Sequence, residues 1–408
     1  MIKPIKNCRS CNSKDLIPII SFGDQYISNF VKSKEQGEKI PLNLVLCKKC
    51  KLLQLEHNAP DELMWNDSYW YRSNISSTIK NDLRDIVNRV KCFKEIGKED
   101  IVVDIGANDF SMLKMYDKGI LVGFEPCKNL IKGVDEKFKI INNFFNAEDY
   151  KKQFKKKAKV ITAISMFYDL ENPNKFLKDI VKCLDENGLF IIQQNYLVSM
   201  LEQNAFDNVL HEHREYYSFT SLKSLLKKYE LEIFDVGLSN INGGSIRTYI
   251  KFKKNKDLKG FKWVEERIKQ IEKKEEELEL NIKRPYLKFA SRIEKIKKEL
   301  MSFLKQEKKK GKKICIYGAS TRGNVALQYF GLNSDLIDCI ADKNPDKWGL
   351  KTIGSLIKIV SPEEMRKRKP DYLLVNTWHL LDEIRKQENE FSKKGGKFVV
   401  ALPEFKVI

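Results

Sequence analysis

Cys8-Arg-Ser-Cys11 and Cys47-Lys-Lys-Cys50 present four thiols as two knuckles. Two residues between cysteines let both sulfurs turn toward one point about 2.3 Å away, and a second such pair completes a tetrahedron. One Cys-x-x-Cys alone could equally be a redox pair. Two pairs within a short, loop-rich segment point to zinc held by Cys8, Cys11, Cys47 and Cys50. With sulfur at all four positions no site is left for water, so the expected metal is structural.

A second chemistry sits in Leu210-His211-Glu212-His213-Arg214-Glu215-Tyr216-Tyr217, which holds two of the chain's four histidines. The i, i+2 spacing lacks the helical geometry of His-Glu-x-x-His, which argues against a metal. An imidazole beside a carboxylate and tyrosines suits general-base work near neutral pH, and a buried, satisfied histidine is the bland alternative. Around this segment stand Gln193-Gln194-Asn195-Tyr196 and Asn240-Ile-Asn242-Gly243-Gly244-Ser245, whose glycines permit close backbone approach to a ligand. Upstream, Ser68-Tyr69-Trp70-Tyr71-Arg72-Ser73 offers phenols beside hydroxyls.

A third group is Asp104-Ile-Gly106-Ala-Asn108-Asp109, at the end of an apolar run. It lacks the Gly-Lys-Ser/Thr of a phosphate-cradling loop and the full Gly-x-Gly-x-x-Gly of a nicotinamide site. About twenty residues on, Gly123-Phe124-Glu125-Pro126 puts an acid at the end of the next strand, where it can accept hydrogen bonds from ribose hydroxyls. Asp-x-Gly followed by an acid one strand later is the arrangement of S-adenosylmethionine-dependent methyltransferases; two ordinary turns are the alternative.

The elements that must position these groups follow from periodicity. Apolar runs at 101–105, 121–124, 160–164 and 189–192 alternate with helix-like segments, the first near 77–90, which predicts a parallel sheet with crossover helices. From 260 to 310 Lys and Glu dominate with apolar residues at helical spacing, and Pro285 divides this stretch into two helices. A second strand–Gly–helix unit begins at Lys313, with further strands expected at 337–341, 372–375 and 397–402. The predicted fold class is α/β, with a zinc module (1–75), a central Rossmann-like domain (76–255), a helical connector (256–310) and a smaller C-terminal Rossmann-like α/β domain (311–408).

The length of 408 residues suits two or three domains, and 42% hydrophobic residues suffice for their cores. No run approaches the ~20 apolar residues of a membrane span, and the first residues lack an apolar signal core, so a cytoplasmic protein with no membrane partner is expected. The formal charge of +19 favours anionic partners. The surplus is mostly Lys spread along the chain, without the clustered Arg and interleaved aromatics of nucleic-acid binders, so a small anionic substrate is favoured over nucleic acid.

The order of these motifs resembles the sugar C-methyltransferases that act on nucleotide-linked keto-deoxysugars. Besides the groups above, the resemblance runs through Met166-Phe-Tyr-Asp-Leu170, Asn242-Gly-Gly-Ser245, Gly318-Ala-Ser-Thr-Arg-Gly-Asn324, Asp342-Lys-Asn-Pro-Asp-Lys-Trp-Gly349 and Trp378-His379 with Glu383-Ile384, nearly the full length. It implies S-adenosylmethionine and zinc as cofactors. The acceptor it implies is carbon 3 of a 4-keto sugar on a nucleoside diphosphate, usually dTDP, with CDP and GDP types open, and the enzyme it implies is a monomer.

Carried over by position, Asp104, Gly106, Asn108, Asp109, Glu125 and Pro126 would bind the donor. His213 would be the base, with Glu212, His211, Tyr69 and Tyr71 nearby. Asn195, Tyr196, Asn242, Gly243, Tyr317, Gly318, Ser320, Arg322, Lys343, Lys347, Trp378 and His379 would bind the acceptor. Its diphosphate would meet Arg322, Lys343, Lys347 and the amides after Gly318. Four departures stand out. The donor loop reads Asn108-Asp109-Phe110-Ser111 where Asn-Asp-Gly-Thr is usual, and the bulky Phe110 is expected to reshape the methionine pocket. Leu210 stands where some members have Tyr, and Gln194 where many have Glu. The usual Pro-Gly-Thr-x-Ile-Pro-Ile becomes Ile353-Gly-Ser-Leu-Ile-Lys-Ile359. Sugar O- or N-methylation, a zinc-ribbon methyltransferase acting on nucleic acid, and a nicotinamide oxidoreductase are the competing readings.

Overall fold

The computed structural model describes residues 2–32, 37–67 and 69–408, so Ser68 of the aromatic run lies outside the described residues. Its centre is a seven-stranded sheet in the order Leu231–Ser239, Ser245–Phe252, Leu184–Asn195, Ala158–Ile164, Ile101–Ile105, Ile120–Phe124, Lys139–Ile141. Pairing is parallel from Leu184–Asn195 outward to Lys139–Ile141 and antiparallel across the hairpin formed by the two strands at the other edge. Ile101–Ile105 is buried at every position, as a strand covered by helices on both faces must be. Register sets Asp104 beside Gly123 and Thr162, so the turns after these strands open at one edge, the carboxyl ends where open α/β sheets bind ligands.

Phe110 does not enter a binding pocket, contrary to the expectation from its bulk. It is fully buried against Phe138, and a Cβ on Gly123 would lie 2.3 Å from its ring. Its φ of +63° swings the side chain under the sheet, so Phe110 and Gly123 are a complementary packing pair.

The C-terminal part carries a six-stranded sheet ordered Ile359–Val360, Cys339–Ala341, Ile314–Tyr317, Tyr372–Val375, Lys397–Val400, Lys406–Val407, parallel except for its last pair. The connector forms two helices, Val264–Glu277 and Arg284–Lys309, with Pro285 in the first turn of the second, where its missing N–H costs nothing. Tyr286, Phe289, Ile293, Ile296, Leu300 and Leu304 recur at helical spacing and are buried in an apolar cluster shared by the N-terminal sheet, the helix Leu197–Glu202 and the C-terminal sheet. Glu275 fastens the first connector helix, accepting from Tyr196 Oη at 2.8 Å and Thr220 N–H at 3.0 Å.

The N-terminal sheet, Leu16–Tyr26, Lys39–Cys47 and Leu53–Leu55, is completed by Glu215–Tyr216, the strand that follows the His-Glu-His segment. Phe30–Val31 pairs with Lys351–Thr352 of the C-terminal part. Two modules distant in sequence are thereby stitched to each other and to the central one. Among the described residues no helix is long and apolar enough to cross a membrane.

Candidate functional site

The four cysteine sulfurs converge as the spacing predicted. All lie within 4.8 Å of one another, with Cys8–Cys50 at 3.5 Å and Cys11–Cys47 at 3.4 Å, close to the edges of a tetrahedron whose centre is about 2.3 Å from each sulfur. Gln54 Nε2 donates to Cys8 Sγ at 3.3 Å. Asn174 Nδ2 and Lys228 Nζ of the central domain donate to the Arg9 and Ser10 carbonyls of the first knuckle. The four-cysteine site fits zinc and is anchored to the central domain rather than dangling from it.

At the carboxyl edge of the central sheet lies a cavity of about 200 Å³. Asp104, Gly106, Asn108, Glu125 and Pro126 line it, together with Phe144, Met166, Asp169, Tyr69 and Tyr71. Glu125 accepts from Asn108 N–H and Cys127 N–H, each at 2.9 Å, which fixes the carboxylate and leaves each oxygen a lone pair for a ligand hydroxyl. Asp104 accepts from Thr162 Oγ1 at 2.7 Å, and burial pushes its carboxyl up to about 7. A Cβ on Gly106 would stand 3.3 Å from Met166, so its bare backbone, at φ +70°, keeps the floor open. Phe144, half exposed at the rim, offers a face to a planar base. A ribose-bearing donor such as S-adenosylmethionine fits this donor set. Phe144 carried no sequence signal beyond an aromatic following a short strand.

A further group of candidate residues is drawn from three modules. His213 is buried, its ring 4.2 Å from that of Tyr168, and its Nδ1 lies 3.0 Å from the Asn208 carbonyl. A carbonyl can only accept, so Nδ1 carries the proton and Nε2 the lone pair. Burial, helped by the nearby Arg322 guanidinium, lowers this imidazole to about 3, so it is neutral at physiological pH. The cavity lining includes its sequence neighbour Arg214 but not His213 itself. Tyr71 keeps 43% of its surface open to the cleft, yet its hydroxyl is recessed and pushed up to about 12. Arg322 donates to Asp207 and to the Asn242 carbonyl, both at 2.7 Å, and Trp378 Nε1 donates to the same Asp207 at 3.2 Å. A Cβ on Gly243 would lie 2.7 Å from the Trp378 ring, so glycine is required there. Asn195 Nδ2 donates to Asn208 at 2.8 Å, and the buried Asn195 Oδ1, Asp207 Oδ1, Arg322 Nε and His379 Nδ1 have no protein partner. Nothing in the local sequence singles out Asp207 or Asn208, whereas Tyr168 falls within Met166-Phe-Tyr-Asp-Leu170.

Several expected site residues are turned elsewhere. His211 Nε2 meets the Ile40 carbonyl of the N-terminal sheet at 3.1 Å, so it buttresses the metal module and not the cavity. Tyr196 points its hydroxyl to Glu275 of the connector. Tyr317 is packed in the C-terminal core and reaches Gln387. Lys347, expected at a diphosphate, is buried: it donates to the Ala319 carbonyl at 2.7 Å, pairs with Asp342 at 3.6 Å and lies over the Phe30 ring. The amide after Gly318 is likewise taken, since Ala319 N–H donates to Asp342 at 2.7 Å. Ser320 caps its helix by accepting from Gly323 N–H. Lys343 is paired with Glu383 at 3.2 Å. Of the four groups expected at a diphosphate, Arg322 reaches across to the central module, to Asp207 and the Asn242 carbonyl, while the acid closing the C-terminal turn is satisfied by the domain's own amide and lysine.

Burial pushes the Glu212 carboxyl up to about 8. Native Glu212 therefore keeps its proton across a range where the unfolded chain, ionising near 4.5, has lost it, and stability falls as pH rises from 5 to 8 by up to about 1.4 kcal/mol per unit. Glu212→Gln keeps the neutral shape without the titration. Urea unfolding at pH 5, 6, 7 and 8 is expected to show the variant gaining steadily on the parent; a constant difference would mean that Glu212 is already ionised when folded.

Three family models match successive parts of the chain: "Putative zinc binding domain" over 8–65, "Methyltransferase domain" over 75–236 and "C-methyltransferase C-terminal domain" over 240–403. The chain is 29% identical to C-methyltransferase NovU of Streptomyces niveus, an alignment that covers 100% of this chain and 98% of that one. Solved structures overlap in part. The plantazolicin methyltransferase BamL, in complex with a triazolic desmethylPZN analog and SAH, is 15% identical over 44% of this chain and 86% of that one, at a TM-score of 0.34. Magnesium protoporphyrin IX methyltransferase from Synechocystis PCC 6803, with bound SAH, is 8% identical over 44% and 89%, at 0.33.

Proposed function

We propose that this chain, which belongs to the S-adenosylmethionine-dependent C-methyltransferases, methylates carbon 3 of a 4-keto-deoxysugar carried on a nucleoside diphosphate. The observation that supports the reading is the neutral imidazole of His213, its Nδ1 tied to the Asn208 carbonyl so that Nε2 carries the lone pair, one residue from Arg214, which lines a cavity shared with Tyr71 and Glu125. A hydrogen next to a ketone becomes acidic enough to remove only when the carbonyl oxygen is stabilised as it gains charge. His213 takes that proton, and the Tyr71 hydroxyl, which stays protonated because its recess pushes it up to about 12, donates to the enolate oxygen. A methyl bound to sulfonium is the electrophile that S-adenosylmethionine supplies when bound. The chain's own part is to hold the two carbons close and in line, which supplies much of the rate gain. Asp104, Gly106, Glu125 and Pro126 would hold the donor.

Asn195, Asn242, Gly243, Arg322, Trp378 and His379 would meet the acceptor, the buried polar atoms at Asn195, Asp207, Arg322 and His379 that lack protein partners being suited to sugar hydroxyls and the phosphate. The test is to incubate the protein with dTDP-, CDP- and GDP-linked 4-keto-deoxysugars in deuterated water, with and without donor. The expected result is deuterium at carbon 3 without donor and a carbon-bound methyl, seen by mass and NMR, with it. A methyl on oxygen or nitrogen and no exchange would replace this reading by sugar O- or N-methylation.

A further inference from the structure

The segment Tyr69–Asn74 forms no helix or strand, so its backbone polar groups must be satisfied from outside. Many of the partners come from the donor turn. Asn108 grips the segment at two points: Nδ2 donates to the Tyr71 carbonyl and Oδ1 accepts from Ser73 N–H, both at 3.0 Å. Asp109 Oδ2 accepts from Asn74 N–H at 3.0 Å, and its other oxygen is bonded to Ser111. Asn129 Nδ2 holds the Tyr69 carbonyl at 2.9 Å. Asn108 and Asp109 are themselves buried, and the polar ends of both side chains are engaged within the protein, with both polar atoms of the Asn108 amide bonded to this segment. What Asn108 offers the donor side is its backbone N–H, which donates to Glu125 at 2.9 Å, from a left-handed φ of +53° that turns the side chain the other way.

We propose that Asn108 and Asp109 are positioning residues for the acceptor pocket: they hold Tyr71 at the cavity through the main chain of residues 69–74, and one short turn thereby ties the ribose-binding acid to the wall that faces the acceptor. This inference rests on the reading of Tyr71 as an acceptor-side group. Direct donor contacts by these side chains, the role that the family resemblance implied, would compete with hydrogen bonds already formed.

Two variants test it from opposite sides. Asn108→Ala removes the grip from the donor turn, and Ser73→Pro removes the gripped N–H while leaving that turn intact. Amide hydrogen exchange of the donor-free protein is expected to accelerate at least about tenfold across 70–75 in both, against little change in the central strands. SAH affinity of Ser73→Pro should stay within about threefold of the parent. Turnover of a dTDP-linked 4-keto-deoxysugar should fall roughly 10- to 100-fold in kcat with the donor KM steady, since a displacement of about 1 Å costs that much. Asn108→Asp, which can still accept from Ser73 but cannot donate to Tyr71, should fall between the parent and Asn108→Ala. Unchanged exchange across 70–75, or a tenfold loss of SAH affinity in Ser73→Pro with kcat preserved, would overturn the proposal. If the parent does not turn over the keto-sugar, the proposed function fails, and the exchange and SAH measurements still decide this inference on their own.

Discussion

His213→Gln is expected to lower turnover by roughly 10²- to 10⁴-fold, the usual worth of a positioned general base, while SAH still binds within about twofold of the parent. The size of the effect follows from the ring's surroundings. Nδ1 is committed to the Asn208 carbonyl, so the ring is held as one tautomer with Nε2 as the only basic atom. Burial lowers it to about 3, so the neutral base persists down to about pH 4 and turnover should not fall between pH 8 and 5 on its account. A developing enolate beside it reverses that penalty, because the imidazolium then has an opposite charge close by in a poorly solvated place. His213→Asn is the matched control for structure: its amide can still donate to Asn208 but offers no base, so it should lose turnover as fully as the Gln variant while melting near the parent temperature. Near-normal turnover in either variant would remove His213 as the base.

Removing the metal should be as damaging, though the metal touches no substrate. The chain is expected to purify with about one zinc, measured by elemental analysis. Stripping the zinc with a chelator, or Cys47→Ser, is expected to lower turnover by roughly 100-fold or more and to lower the melting temperature, because binding energy at a four-thiolate site is folding energy, on the order of 10 kcal/mol in small zinc modules. The route to the site can be traced residue by residue. The cysteine knuckles fix Leu53–Leu55, which pairs with Glu215–Tyr216, two residues beyond His213. His211 leans on the Ile40 carbonyl of the same sheet, and the Tyr69–Ser73 segment leaves this module to reach the cavity. A metal-free protein that retains full turnover and an unchanged melting profile would show that the module serves something other than the site.

Much of this was legible in the residues alone. The zinc knuckles could be read because ligand spacing is a local property: two intervening residues determine where two sulfurs point, whatever surrounds them. The buried parallel strands, the Asp104 and Glu125 turns and the helix break at Pro285 were likewise set by short-range periodicity and backbone chemistry. The edge hairpin Leu231–Ser239 with Ser245–Phe252 was not anticipated, because its alternation is interrupted by Asp235, which sits at a register shift. Phe110 was misjudged for a similar reason. Its size suggested a blocked pocket, and only its backbone angle and the missing side chain of Gly123 show that the ring goes under the sheet.

Residue type and spacing, then, determined the α/β class, the metal ligands and the set of groups able to handle a proton or a ribose, since each of these depends on neighbours a few positions away. Which of those groups are free was decided in three dimensions: Lys347, Tyr317, Tyr196 and His211 have suitable chemistry but are consumed by partners elsewhere in the fold, while Tyr168, Asp207 and Asn208 come to lie against His213, Arg322 and Asn195. A side chain's direction is set by the contacts that bury it, and those contacts join residues from 13 to 171 positions apart.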